Sequence, residues 1–475
     1  MRTIRVGANI SLFSAALALA LGGGCSSDDE VATVNNGTGG EAGGVGFDAG
    51  GGASGGGNAG SAGTGGGGLD GSLAEFCAGS GTVVSIGGKE TCTGQIAGSI
   101  FKFALCSCTD ASLTVSKFTT DGFDSTQPKD PATNGAAVGV NNVYGLTGGS
   151  DVGGSLLLAG TGPLQFIGNH VVRGDLKTNG SISFTGSLGV DRDAWVAGDI
   201  SGANAMTIAR DLHQPAGKAK SAFVTVGKNT IPGAVSVPPP CNCQQNLDIA
   251  GLVAAFKTKN DNAVVGLDAG ELGNVLGTKQ VTLDCGRFYV DSIGGAGNLV
   301  INVPKRVALF VGGDVKMTGG IEVNLGTEGE IDIFVAGNFQ ATGNARFGSE
   351  SRPAGTRIYV NGSQDIPLTG SSAFVGNLFA PNALVTGIGG LEVFGSVYAK
   401  AFSGTGTVTM HYDKGILKAG DKCKDPPDEC KTCGDCDSKQ VCKGGTCTTC
   451  SADAECCPPL ICYPNGQCGP LNVPR

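Results

Sequence analysis

The feature that most constrains this chain is an even beat through its middle. Gly174-Asp175-Leu176, Gly186-Ser187-Leu188, Gly198-Asp199-Ile200 and Arg210-Asp211-Leu212 stand twelve residues apart, and Val172, Val196 and Ile208 precede three of them by the same offset. Further on, Val311-Gly312-Gly313-Asp314-Val315 and Val335-Ala336-Gly337-Asn338-Phe339 stand 24 apart, with related corners at Gly362, Gly376 and Gly395. Short β-branched runs such as residues 298–303 (NLVINV) lie between them. Gly, Asn and Asp tolerate the bent backbone of a corner. Alternating apolar residues between corners point inward and stack on the next coil, about 4.8 Å away. A sandwich or barrel also holds many short strands, but not four at one fixed spacing. The pattern predicts a mainly β chain: a right-handed parallel β-helix over residues 129–417, with about 24 residues to a coil. Val172 is expected beneath Val196, and Val311 beneath Val335.

The beat is interrupted once. Pro238-Pro239-Pro240-Cys241-Asn242-Cys243 breaks strand character, and Leu247, Ile249, Leu252, Val253, Ala254 and Phe256 then follow at helical spacing. Residues 230–278 therefore read as an insertion with one amphipathic helix docked on the solenoid flank. Ahead of the β-helix, residues 72–128 hold Cys77, Cys92, Cys106 and Cys108. In an exported chain these read as two local disulfides in a segment that caps the first coil. Zinc is disfavoured, because no His lies there and Cys-x-Cys is not the usual knuckle spacing. Cys285 returns to strand, with Cys241 or Cys243 as its expected partner.

Export is written at the start. Arg2 and Arg5 precede a short apolar run, residues 10–21, and Gly22, Gly23 and Gly24 lead into Cys25. The run is too short to span a bilayer and reads as the core of a signal peptide over residues 1–24. Its end resembles a bacterial lipoprotein signal, with Gly22 where that signal usually has Leu. The resemblance implies lipidation of Cys25 and, since Ser26 replaces the Asp that retains such proteins at the inner membrane, an outer-membrane address. Lipid on Cys25 leaves 18 of the 19 cysteines, an even number, for disulfides. Residues 25–71 are a Gly-rich acidic tether, too poor in apolar residues to offset the entropy of ordering.

Residues 421–475 form a second, cysteine-rich domain. Cys430, Cys433, Cys436, Cys442, Cys447, Cys450, Cys456, Cys457, Cys462 and Cys468 fall within 39 residues that carry few large apolar side chains. Disulfides must supply the constraint that so small a core cannot. The vicinal Cys456-Cys457 with Cys462 and Cys468 resembles knottin-like and dickkopf-like modules. An iron–sulfur reading of the Cys430, Cys433, Cys436 run fails on its fourth spacing and on the exported address. Cys423 is left to bond back to the β-helix domain.

The close of the solenoid, Gly395-Ser396-Val397-Tyr398-Ala399-Lys400 followed by Val408-Thr409-Met410-His411-Tyr412-Asp413, resembles a bacterial extracellular β-helix domain. That domain occurs in surface lipoproteins and pilus-assembly-associated proteins and is distantly similar to bactofilin-type polymer-forming solenoids. The helix flanked by Cys241-x-Cys243 and Asn260-Asp261-Asn262 is similar to that family too. The resemblance spans residues 77–417 and implies a fold and a location rather than an activity.

The chemistry-bearing residues point to no enzyme. His170, His213 and His411 are scattered, and no nucleophile or metalloprotease motif is present. β-Helix enzymes that cut polysaccharides cluster carboxylates on a groove, and the candidates are Asp175, Asp199 and Asp211, or Asp314, Glu330 and Asp332. If coils hold 24 residues, Asp175 and Asp199 stack closely enough to bind Ca²⁺, but turn chemistry alone also places Asp at such corners. A net charge of −9 argues against nucleic acid. The expectation is a non-enzymatic outer-membrane or cell-surface lipoprotein without cofactor or metal, structural or adhesive, with a surface protein or polysaccharide as partner. The alternatives are a polysaccharide-binding or polysaccharide-cleaving β-helix and a solenoid that polymerises end to end.

Overall fold

The computed structural model describes residues 73–77, 83–86, 89–127, 135–243, 247–343, 345–369 and 373–419, and in the C-terminal region 441–443, 446–452, 455–456, 460–462 and 468–470. The residues expected to form a signal peptide and a tether, with Cys25, and Cys423, Cys430, Cys433, Cys436 and Cys457 lie outside these residues. The described chain builds a parallel β-solenoid of about 12 turns, each coil made of three short strands that lend one strand to each of three faces. Among the described residues no helix is long and apolar enough to cross a membrane.

The chain enters this stack in its middle. Residues 105–123 form a coil that pairs on one side with residues 138–152. On the other side they pair with residues 397–413, the last coil. The first half then runs outward through residues 156–172, 176–190, 194–208 and 212–232. The second half starts at the opposite end, at residues 278–295, and returns to meet the first at a seam of twelve register pairs, from Phe402↔Ala111 to Asp413↔Phe123. The segment expected to cap the solenoid is thus its central coil. Its strand Ala111–Phe123 buries alternate residues as any inner strand does, and a cap over the first coil would have closed the surface on which the last coil docks.

The coil length also departs from expectation in the first half. There the register advances by 18 residues: Leu176 lies beside Ala194, Ile182 beside Ile200 and Leu188 beside Met206. Val172 lies beside Val190, not Val196, and Val196 pairs with Thr178. The buried positions recur every six residues (Leu176, Ile182, Leu188, Ala194 and Ile200 are all at most 1% exposed), so the twelve-residue beat is two faces of a three-faced coil. In the second half the coils are longer, and Val311 pairs with Val335 as expected.

The connector, residues 233–277, has to travel from one end of the stack to the other, and it does so as a strap along one face. Asn179 fixes it at Val237, donating from Nδ2 to the carbonyl and accepting the backbone N–H. Pro240 then crosses Gly139, where an added Cβ would stand 3.1 Å from the proline ring, so the rung is left open for the strap. Helix Ile249–Phe256 follows, N-capped by Asp248, whose side chain accepts from Gly251 N–H. Its buried stripe, Ile249, Leu252, Val253 and Phe256, faces the second half, and Phe256 stacks on Phe310 at 4.1 Å. Phe310, Phe334 and Tyr359 continue that stack along the axis, one rung per coil.

Disulfides hold the strap and the N-terminal segment. Cys106 bonds Cys241, Cys108 bonds Cys243, and Cys77 bonds Cys285. The expected local pairing among Cys77, Cys92, Cys106 and Cys108, and of Cys285 with Cys241 or Cys243, is therefore replaced by long-range bridges. The reason lies in the threading: the central coil and the strap that crosses it come from sequence 135 residues apart, while Cys77 and Cys285 meet at the far end. In the cysteine-rich region two hairpins, Val441–Lys443 with Thr446–Thr448 and Leu460–Cys462 with Cys468–Pro470, are accompanied by Cys450–Cys462 and Cys456–Cys468.

Candidate functional site

The corner aspartates serve the backbone. Asp175 and Asp199 are one coil and one face apart and do not stack. Asp175, Asp193 and Asp211 share one corner, each a coil above the last. The Asp193 N–H donates to Asp175 Oδ1 (3.4 Å), the Asp211 N–H to Asp193 Oδ1 (3.0 Å) and the Asn229 N–H to Asp211 Oδ1 (2.9 Å). Asp199 accepts from Ala219 N–H at another corner, and Asp314 from Asn338 N–H. Each carboxylate thus satisfies an orphan donor of the next coil, the structural use of Asp in a stacked turn. Arg173 pairs with Asp151 (2.8 Å) and Asp191 (3.5 Å).

Glu330 and Asp332 belong to an ion cluster in which Asp332 and Arg357 are buried and Glu330 stands at the rim. Asp332 grips the wholly buried Arg357 through Nε (2.6 Å) and Nη2 (3.0 Å), and Glu330 reaches Nη2 at 3.0 Å. Burial works against the Arg357 charge, yet the two carboxylates hold its proton more firmly than usual. Burial pushes nearby Arg306 down to about 10. Among the described residues the one trio of metal-capable side chains is Cys450, Cys456 and Cys468, all in disulfides. His170 is buried in the core of its coil beside Ser150 Oγ (3.0 Å), and His213 stacks on Trp195 at 4.7 Å. His411 bridges the seam, with Nδ1 2.8 Å from Asp121 and Nε2 3.0 Å from Glu392.

The three faces of the solenoid differ in what they present. One carries the strap. A second carries charges, including Glu322, Arg346, Lys117, Asp121, Asp151 and Glu392, and a shallow groove of about 470 Å³ that holds one carboxylate, Glu322, and one guanidinium, Arg346. The remaining face is bare. Its strands pair in register from Ile366–Thr369 through the last and central coils to Ile182–Phe184, and a Cβ on Gly406 would meet the Gly389 carbonyl, which fixes the stacking inside the long last strand.

Two outward columns result. Pro367, Thr386, Ser403, Ser112, Gly145, Gln165 and Ser183 form one; Thr369, Ile388, Thr405, Thr114, Thr147, Ile167 and Thr185 form the other. Nine of these fourteen positions are Ser or Thr, and none is charged or aromatic. Successive rungs are about 4.8 Å apart and the two columns about 6.7 Å, which makes a flat lattice roughly 30 Å long. Among the described residues none of the hydroxyls of Thr386, Ser403, Thr405, Ser112, Thr114, Thr147, Ser183 and Thr185 has a hydrogen-bond partner in the protein, while Ile167 and Ile388 stand 43% and 47% exposed between them. β-Propensity accounts for Thr on an exposed strand. It does not account for the absence of charge from these seven rungs, when the same face carries Lys316 farther along and the next face carries many charges. The face was missed in the sequence because its rows come from opposite ends of the chain: Ser403-Gly404-Thr405 lies beside Ser112-Leu113-Thr114 across the seam.

A model of a domain of unknown function, DUF7305, matches residues 238–418, the strap and the second half of the solenoid. No curated protein matches the chain. Among solved structures the chain is similar to an ice binding protein from an Antarctic bacterium Flavobacteriaceae, at 12% identity and a TM-score of 0.20, covering 67% of this chain and 98% of that one.

Proposed function

We propose that this protein is a non-enzymatic, exported binding protein whose rigid solenoid presents the hydroxyl face to an ordered, uncharged surface, and that ice is the surface it fits. The observation that carries the reading is the charge-free, two-column lattice of Ser and Thr. A small-molecule site would be concave, with a few convergent polar groups; this face is flat. Recognition of soluble sugars leans on aromatic platforms, and the columns hold none. What a flat lattice can match is another lattice. The β-branched Thr side chains are stiff at χ1, so their hydroxyls and methyls stand pre-ordered and little entropy is lost when water orders against them. Each contact is weak, but many act together on one rigid body.

In this reading lipidated Cys25 and the Gly-rich tether hold the solenoid off the outer membrane, and the chain acts as an adhesin. The groove with its single carboxylate supports a binding protein over a polysaccharide-cleaving one, which uses a carboxylate pair. The test is adsorption to a growing ice surface by the fluorescently labelled protein. Thr114→Lys and Thr147→Lys should abolish it, and Thr207→Lys, on another face, should not. A wild type that is left in the liquid yet sediments with microcrystalline cellulose or chitin would replace ice by packed neutral polysaccharide.

A further inference from the structure

The two ends of the solenoid are not alike. At one end the N-terminal segment is fastened: Cys77 is bonded to Cys285, and the Phe76 ring lies under the Arg306 guanidinium at 4.4 Å. Among the described residues the other end is open. Its outermost strands, Val224–Val226 and Thr230–Pro232, pair with one neighbour each, and Lys220 makes a single bridge to Ile200. Around that open end stand Lys218, Lys220 and Lys228, all exposed, with Phe223 54% and Ile231 39% exposed between them. Among the described residues none of the three lysines makes an ion pair. The sequence adds that no Asp or Glu occurs between Asp211 and Asp248. In a chain of net charge −9 the outermost coil at this end thus carries three exposed lysines with apolar side chains set among them, while Asp199 and Asp211 are taken up by its corner N–H groups.

We propose that this open end is a docking tip for a phosphate-bearing, anionic membrane surface. Lysines beside such a surface attract its headgroups, and exposed aromatic and aliphatic side chains can enter the interface between them. Phe223 and Ile231 favour a membrane over a soluble polyanion, which would meet the lysines alone. A second copy of the chain is disfavoured, because Lys on an edge strand opposes strand-to-strand stacking and two such ends would repel. The tip stands about 50 Å from the end to which the N-terminal segment is fastened, some eleven coil spacings away. A protein held by its N-terminal side would thus present the tip outward. The proposal is independent of what the hydroxyl face binds.

The test is co-sedimentation of the full chain, carrying Cys25→Ser so that no lipid dominates, with phosphatidylcholine vesicles with or without phosphatidylglycerol. Binding should require the anionic lipid and weaken with salt. The triple variant Lys218→Gln, Lys220→Gln, Lys228→Gln should bind about a hundredfold more weakly, from the contribution of each lysine near such a surface. Phe223→Ser alone should also weaken it. Equal binding to both vesicle types overturns the proposal. So does an equal loss in Lys102→Gln, Lys117→Gln, Lys400→Gln, which removes the same charge from other exposed places. Phe223-dependent self-association without vesicle binding would show instead that the end stacks on another copy. Far-ultraviolet circular dichroism checks that each variant is folded.

Discussion

The ion cluster under the second half of the solenoid allows a stability test whose size follows from geometry. Arg357 is 0% exposed and sits on the same column as Asp332, one coil along. Its guanidinium donates to both Asp332 oxygens, to Glu330 Oε2 and to the Ala354 carbonyl at 3.1 Å. Asp332→Ala would remove two of these, the shortest among them, and leave a desolvated cation. Breaking a buried pair from one side costs about 3–5 kcal/mol, and the retained Glu330 contact places the expected loss at the lower end, about 3 kcal/mol. Arg357→Met together with Asp332→Ala removes the stranded charge as well as its partner. The double variant should recover most of the loss, because a pair replaced by apolar groups is often neutral. Urea denaturation followed by circular dichroism gives the stability change. Limited proteolysis locates it, since in a solenoid each coil touches only its neighbours and damage stays local. If Asp332→Ala costs under about 1 kcal/mol, or if the double variant is no better than the single one, Arg357 is not held as described.

His411 makes the seam sensitive to pH. Its bond to Asp121, and after that its attraction to Asp121 and Glu392, raises its pKa despite burial, so its stabilising contribution is full below the unfolded value of 6.5 and is lost as pH rises through the folded one. The seam should thus open more readily in mild alkali, and His411→Gln should remove that slope in denaturation midpoints. His170 shows the opposite sign: burial lowers its pKa, so His170→Gln should flatten the loss of stability seen as pH falls through the unfolded value. Cys106–Cys241 and Cys108–Cys243 each close 135 residues, yet they close nearly the same loop. Removing either pair by Cys→Ala substitution should therefore cost little, and removing both about 5 kcal/mol by the chain-entropy estimate, read from non-reducing denaturation curves. Cys25→Ser should move the protein from the membrane fraction to the soluble one.

The solenoid was legible because its corners and its inward residues obey one local rule, repeated. Coil length was legible only where one corner per coil carries the signature. Between Val311 and Val335 the Gly-Asp or Gly-Asn corner occurs once per turn, and the spacing is the coil. In the first half all three corners are built alike: Gly174, Gly180 and Gly186 each press a would-be Cβ against the backbone of the coil below. A six-residue unit that serves every face carries no mark of how many faces close a turn. Closure at three faces is a property of the packed core, where Leu176, Ile182 and Leu188 meet from three sides.

The seam is illegible for a different reason. Nothing local distinguishes strand Ala111–Phe123, which docks on residues 402–413, from a strand that docks on its successor in sequence. The decision belongs to the connector. A chain that leaves the stack at Pro232 and re-enters beside the coil it left would need only a short turn. Here residues 233–277 carry three prolines, two cysteines spaced to match Cys106-x-Cys108, and a helix whose Phe256 continues an aromatic column. Each of these fits a strap that runs the length of the stack, and none fits a loop that turns back at its end. The hydroxyl face follows from that threading. Ser112 and Thr114 come to stand beside Ser403 and Thr405 only because the last coil returns to the first, so the proposed binding surface is a product of topology laid over residues that, read in order, are ordinary exposed strand positions.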